Sequence, residues 1–307
     1  MEVIERPSLK FWEEVASQSE YATFYHTPLW SKILVETYPH YEISTKAFFF
    51  DDGTKVLLPL LRSRKEGFFK KRQRLKSLAF GFYGGPVYVG SWSEEKSEEL
   101  YSCFKSRRIS LHIEGNPFFR YDLPDYFSKH EASTYLIRLD KSIDELWKQF
   151  SSGHRRNIKK ALRMGVKVRK ATSREDYEAY FNVYQDTLKR WGDKTIITYP
   201  HSFFLKLLEP QYDSVTLWLA ELGDKIIAGV IMLYWNNVVY FWHGCSLTNF
   251  SKYRATILLH WDMIQDALDK DYQIYDFGPS GDLKGLEEFK RRFGAENVLF
   301  IKGHLRN

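Results

Sequence analysis

Between residues 142 and 305 the apolar positions switch repeatedly between a period near 3.6 and a period of two, the marks of amphipathic helices and half-buried strands. Ser142-Ile143-Asp144-Glu145 has the capping-box pattern and predicts a helix running on through 146–150. A second helix is predicted over 154–164, ended by Gly165, since glycine accepts the left-handed conformation that closes a helix. Residues 166–170 alternate as a strand does. Ser173 then opens a long helix with Tyr177, Tyr180, Phe181, Tyr184, Leu188 and Trp191 on one stripe. A short helix over 202–208 stops before Pro210. Strands follow at 215–222, 226–235 and 238–245, joined by the turn-forming pairs Gly223-Asp224 and Asn236-Asn237. A helix over 256–270, a strand over 273–277, the breaker Gly278-Pro279-Ser280-Gly281, a helix over 286–293 and a strand over 298–305 complete the chain. From Val166 the predicted order is β-α-α-β-β-β-α-β-α-β.

The first half repeats that order. A strand at 2–4, helices at 9–16 and 28–37 (Pro28 at the start of the second), and strands at 41–50, 56–62 and 78–89 are followed by a helix at 94–105 and strands at 109–114 and 135–139. Only the helix expected before that last strand has a weak signal. Matching orders half a chain apart imply a duplicated unit. The expected architecture is mixed α/β (α+β), with one domain over 1–140 and a second over 141–307; 307 residues suffice for two cores.

Composition adds few constraints and charge adds more. No run approaches the roughly 18–20 apolar residues that span a bilayer. The opening Met1-Glu2-Val3-Ile4-Glu5-Arg6 carries acids where a signal peptide has none, and Cys103 and Cys245 make no disulfide framework, so a cytoplasmic setting is expected. The net charge is +6, and it is clustered. Residues 62–76 hold eight basic side chains against Glu66, and residues 153–170 hold eight with no acid. Such clusters attract phosphate-bearing partners, although a solvated helix face has the same composition. Within the second cluster Arg156, Lys159, Lys160 and Arg163 fall on one helix face, with Arg155 beside them and Ile158 and Leu162 marking another face. Like charges at that spacing repel, and an anionic partner would offset the cost. The first cluster, with Phe68-Phe69, is also compatible with peripheral membrane association.

Three further positions carry chemistry. Asp276 sits between strand residue Tyr275 and the Gly-Pro-Ser-Gly turn, placed to act as a general base or, the preferred reading, to cap its own turn. His243 and Cys245 share a strand face, but nothing supplies the third group of a nucleophile triad, so a packed pair is preferred. His154 and His260 lack partners at metal-ligand spacing, and no metal site is expected.

The element order resembles the GNAT acyltransferase fold, and the tandem pair resembles the Fem-type (FemABX) aminoacyltransferases and their FemAB-related, acetyltransferase-like relatives. The segments that carry the resemblance are Phe24-Tyr25-His26-Thr27-Pro28-Leu29-Trp30, Leu58-Pro59-Leu60, residues 80–86, residues 154–165, Ile227-Ala228-Gly229, Tyr275-Asp276-Phe277-Gly278 and Phe289-Lys290-Arg291-Arg292-Phe293-Gly294. It implies transfer of an acyl group, often aminoacyl from aminoacyl-tRNA, onto an amine of a cell-wall precursor or other cell-envelope acceptor. It makes Lys290 the candidate for stabilising the transition state or holding a donor phosphate, where composition alone would allow a snorkelling surface lysine. It assigns donor phosphate binding to Arg155, Arg156, Lys159, Lys160, Arg163, Tyr253 and Arg254, and the acceptor side to Lys32, Tyr83, Gly84, Arg190, Tyr240 and His243.

Two departures sharpen the expectation. CoA-dependent GNAT enzymes carry a glycine-rich phosphate loop where this chain has residues 249–256, which contain no glycine, so no cofactor is expected and CoA is the less favoured donor. The family lysine four residues after Trp30 falls at Leu34, and the later Arg and Tyr that grip nucleotide-sugar phosphates fall at Tyr199 and Phe203. A UDP-linked acceptor is thereby placed in doubt. The alternatives are a FemAB-related N-acyltransferase using acyl-CoA or another donor, and a non-catalytic phosphate- or peptide-binding module.

Overall fold

In the computed structural model the described residues are 1–307 apart from 65–72, 78–79, 107, 120–121, 193–197, 209–212, 282 and 307, with backbone alone at 306. Most of the first basic cluster, Phe68-Phe69 included, lies outside them, as do the first two residues of the strand expected at 78–89. Contacts divide the chain into one unit of Met1–Thr134 with Val298–Asn307 and a second of Tyr135–Asn297. The division thus falls before Lys141. The final residues, expected in the second domain, belong to the first because Gly303 to Arg306 pair antiparallel with Ile113 to Ser110.

The first unit contains β1 (Glu2–Ile4), α1 (Leu9–Gln18), α2 (Pro28–Thr37), β2 (Tyr41–Ile43), β3 (Lys46–Phe49), β4 (Lys55–Leu58), β5 (Leu61–Ser63), β6 (Gln73–Ser77), β7 (Val87–Val89), α3 (Glu94–Ser102), β8 (Ile109–Ile113) and the start of β9 (Ser128–Arg138). The strand expected at 41–50 is two strands, and so is that at 56–62. Pro59 has no N–H for the ladder, and there the hairpin leaves one sheet, β1-β3-β4-β7, for another in which β2 pairs with β5. Thr45 Oγ1 accepts the Leu60 N–H at the bend, 3.2 Å. Strand β6 was not expected, and no helix lies between β8 and β9 among the described residues. Phe48, Val56, Leu58, Leu75, Leu100, Leu111 and Leu305 form the core of this unit.

The second unit has α4 (Ile143–Gln149), α5 (Ser152–Arg163), β10 (Val166–Lys170), α6 (Arg174–Trp191), α7 (His201–Leu207), β11 (Val215–Leu222), β12 (Lys225–Trp235), β13 (Val238–Ser246), α8 (Ala255–Asp269), β14 (Ile274–Pro279) and α9 (Lys284–Arg291), before β15 (Glu296–Arg306). This is the expected order. The capping box forms as anticipated, Ser142 Oγ taking the Glu145 N–H and Glu145 the Ser142 N–H. The strands lie in the order β10-β11-β12-β13-β14-β9. On one face α8 buries Leu258, Leu259, Met263 and Ile264 against Ala228, Val230 and Met232, with Ile158 and Ala161 of α5 alongside. Each such apolar side chain contributes about 1.5–3 kcal/mol. On the other face α6 crosses β12 and β13. Gly229 makes that crossing possible, since a Cβ there would stand 2.5 Å from Cδ2 of Tyr180.

Candidate active site

Strands β13 and β14 are parallel, and they are paired only from Val238↔Ile274 to Tyr240↔Asp276. Beyond that register β13 runs on to Ser246 and β14 to Pro279 as separate arms of a fork. The β12–β13 register shifts beside Ile231/Met232, leaving Trp242 as the extra residue of a bulge. A bulge re-aims the side chains after it. Phe241 therefore packs on His260 of α8 (5.0 Å between rings), while His243 turns to Tyr180 of α6.

The β14 arm carries the first group of candidates. Asp276 is wholly buried, and its Oδ1 accepts the Gly278 N–H at 2.9 Å, the turn-capping arrangement preferred from sequence. Lys290 does not snorkel: it is 1% exposed. Its Nζ donates to the carbonyls of Gly278 (2.6 Å) and Pro279 (3.0 Å) and stands 5.8 Å from the Tyr135 ring. Burial pulls its pKa down to about 8, while the negative charges of Asp276 and Glu287 act in the opposite sense. Ser280, buried in the same turn, has a hydroxyl with no hydrogen-bond partner among the described residues. Neither the burial of Lys290 nor Ser280 is legible from helical spacing alone.

The β13 arm carries the second group. His243 Nδ1 and Tyr180 Oη are 2.5 Å apart, and the rings of Tyr184, Tyr199 and Phe204 enclose the imidazole. Desolvation holds the His243 pKa down to about 3, so the ring is neutral at physiological pH. Cys245 shares that face, as expected, with Sγ 4.0 Å from the Tyr180 carbonyl, and burial pushes its thiol pKa up. The preferred reading of a packed pair fits this geometry, and the sequence missed Tyr180. Tyr199 and Phe203 form an aromatic wall with Trp242, the Tyr199 N–H donating to Tyr184 Oη at 3.0 Å.

Among the donor-side candidates, α5 buries His154, Ile158 and Ala161 and exposes Arg156, Lys159 and Arg163; Lys160 is half-buried. None of these four cations forms an ion pair with a carboxylate among the described residues. Of the two apolar residues off the basic face, Ile158 is buried and Leu162 is 55% exposed. Arg155 caps α4, its Nη1 donating to the Lys148 carbonyl at 3.0 Å. Two members of the run are already neutralised: Arg169 binds both oxygens of Asp176 and also Glu221, and Lys170 binds Asp266. Arg254 has left-handed backbone (φ 59°) just before α8, whose first turn has no side-chain cap, and Tyr253 stacks on Phe250.

Several acceptor-side candidates occupy structural positions. Tyr83 is wholly buried and donates to Thr134 Oγ1 at 2.6 Å. Gly84 is pressed against Ser77, where a Cβ would come within 2.6 Å of Oγ. Arg190 Nη1 donates to the Ser246 carbonyl (3.2 Å), tying α6 to the end of β13. Tyr240 is wholly buried opposite Asp276. Burial and these bonds remove Tyr83, Gly84 and Tyr240 from any exposed surface. Lys32 is exposed on α2, and Leu34 lies in the core. No group of three or more His, Cys, Asp or Glu among the described residues is placed to hold a metal ion, and no described helix is long and apolar enough to cross a membrane.

The acetyltransferase (GNAT) domain family matches residues 148–291, the span that holds α5, the β13–β14 fork and Lys290. Aminoacyltransferase FemB of Staphylococcus epidermidis is 24% identical over 277 residues, an alignment covering 66% of this chain. The chain spans 62% of that relative's length. Among solved structures, FemX superposes with a TM-score of 0.70 at 14% identity, covering 98% of this chain and 97% of the other. A tandem GNAT protein from the clavulanic acid biosynthesis pathway superposes with a TM-score of 0.53 at 9% identity, covering 98% of each chain. These two likenesses establish the fold: tandem GNAT-like units.

Proposed function

We propose that this FemABX-like chain of tandem GNAT-like units transfers an aminoacyl group from aminoacyl-tRNA to an amine of a cell-envelope precursor, with Lys290 as the catalytic group. In that reaction the amine nitrogen attacks the ester carbonyl carbon, an amide bond forms and the bond to the ribose oxygen breaks. The amine loses a proton and the ribose oxygen gains one. Two demands follow: stabilisation of the tetrahedral oxyanion, and a group that exchanges a proton near neutral pH.

The observation that carries the reading is Lys290 itself. It is buried against the β14 arm of the fork, fixed by the Gly278 and Pro279 carbonyls, with a pKa of about 8. A cation held in a dry site acts strongly on developing negative charge, and a pKa of that size also suits proton exchange. Asp276 serves as a positioning group, holding the turn whose carbonyls grip Lys290. The exposed face of α5, with Arg156, Lys159 and Arg163 lacking carboxylate partners among the described residues, supports a polyanionic donor. The absence of glycine from 249–256 disfavours CoA as that donor.

The test offers the protein charged tRNA and, separately, acyl-CoA, each with a panel of amine acceptors, and follows acyl movement by mass. Transfer from charged tRNA alone supports the reading. Transfer from acyl-CoA without tRNA selects the FemAB-related alternative. Consumption of neither donor by any acceptor refutes both enzymatic readings and leaves the binding module.

A further inference from the structure

A basic cleft in the first unit has no part in the reading above. Its volume is about 630 Å³, and Arg62, Ser63, Arg64, Gln73, Ser106 and Arg108 line it, with Ile109 at the rim. The sheet order brings these residues together. Strand β5 pairs antiparallel with β6, and β6 runs parallel to β8 from Gln73↔Ile109 onward. The end of β5, the start of β6 and the approach to β8 therefore meet at one end of three adjacent strands. The Gln73 N–H donates to the Arg108 carbonyl at 2.7 Å and fixes that junction.

The charge there is unbalanced. Glu42, opposite Arg62 in the β2–β5 register, pairs with both Arg62 and Arg64, the second at 3.0 Å. The Arg62 hydrogen bond, helped by Arg64, lowers the Glu42 pKa, so this carboxylate is ionised and fully engaged. Arg108 is exposed and has no carboxylate partner among the described residues. Among the described residues, three guanidinium groups thus face the cleft against one carboxylate. Each guanidinium offers more N–H donors than its ion pair uses, and serine hydroxyls and the Gln73 amide add neutral ones. Planar forks of this kind match the oxygens of a phosphate group, and the cleft has room for what the phosphate is attached to.

We propose that this cleft is a binding site for a phosphate group, carried either by a small soluble molecule or by an anionic lipid headgroup. The proposal is independent of the transfer reaction, and its test does not measure transfer.

Two probes distinguish the sources: inorganic phosphate followed by calorimetry, and sedimentation with vesicles of phosphatidylcholine containing phosphatidylglycerol. The full chain is compared with an Arg64→Ala/Arg108→Ala pair, both exposed positions. A second pair, Arg6→Ala/Lys10→Ala, removes the same charge from exposed positions elsewhere in the first unit. Thermal melting checks that each pair folds. Saturable binding of either probe, weakened at least tenfold by the cleft pair and unchanged by the control pair, is the expected result. Binding of phosphate identifies a soluble ligand, and binding of vesicles alone identifies a lipid headgroup. Equal loss in both pairs, unchanged binding in the cleft pair, or binding of neither probe overturns the proposal.

Discussion

Replacing Lys290 by Met should change how stability depends on pH, and the size of the change follows from burial. In the folded chain the lysine pKa is about 8 against an ordinary 10.5. Between those values the unfolded chain binds the proton and the folded chain does not, so stability rises with pH across that window. At about 1.4 kcal/mol per unit, the full difference amounts to about 3 kcal/mol, an upper figure for a single buried group. Methionine has nothing to titrate. The wild-type protein should therefore gain about 2 kcal/mol relative to Lys290→Met between pH 7.5 and pH 10, most of it above pH 8. Urea unfolding of both proteins at pH 7, 8, 9 and 10 measures this, and the tyrosines that titrate near pH 10 cancel in the difference. The absolute stability of the variant is a separate matter, because it leaves the Gly278 and Pro279 carbonyls without their donor. A difference that stays flat with pH would refute the depressed pKa and, with it, the picture of a desolvated cation at the fork.

Three other outcomes follow from the geometry. Asp176→Asn removes a carboxyl held near 2 mainly by Arg169; its stabilisation is present above 3.8 and lost as pH falls through about 2. The wild type should lose about 1 kcal/mol more than the variant between pH 5 and pH 2, a figure reduced because solvent reaches Arg169, and equal losses in urea unfolding would contradict it. Gly229→Ala places a Cβ 2.5 Å from the Tyr180 ring and should cost about 1–3 kcal/mol in thermal unfolding while weakening the Tyr180–His243 hydrogen bond seen by imidazole NMR. Reversing charge with Lys159→Glu and Arg163→Glu should leave melting unchanged and weaken tRNA binding, with the slope of log affinity against log salt falling by about 1 for each phosphate no longer neutralised. An unchanged slope would remove α5 from the donor interface.

What the sequence made legible was local. The Ser142…Glu145 box, Gly165 and the Gly223-Asp224 and Asn236-Asn237 turns each act within a few residues, and the elements they bound fall where expected. Strand β6 was hidden because its exposed Gln73, Arg74 and Lys76 read as part of a basic run, with only Leu75 and Ser77 buried. The bend at Pro59 depends on two sheets meeting, which no window reveals. Lys290 was legible as a position through the resemblance of residues 289–294, but its burial depends on carbonyls contributed by β14. Tyr83 and Gly84 came to the acceptor side through the resemblance, and their burial depends on partners distant in sequence: Thr134 for the Tyr83 hydroxyl, and Ser77 against Gly84.

Single-turnover transfer from charged tRNA, measured across pH 6 to 10, tests whether Lys290 is the group through which the proposed acyl-transferring site works. The wild-type rate should inflect near pH 8, with Lys290→Ala losing the inflection and at least a hundredfold in rate while binding tRNA as before. A Lys290→Ala protein that transfers at the wild-type rate with the same pH profile would contradict that role.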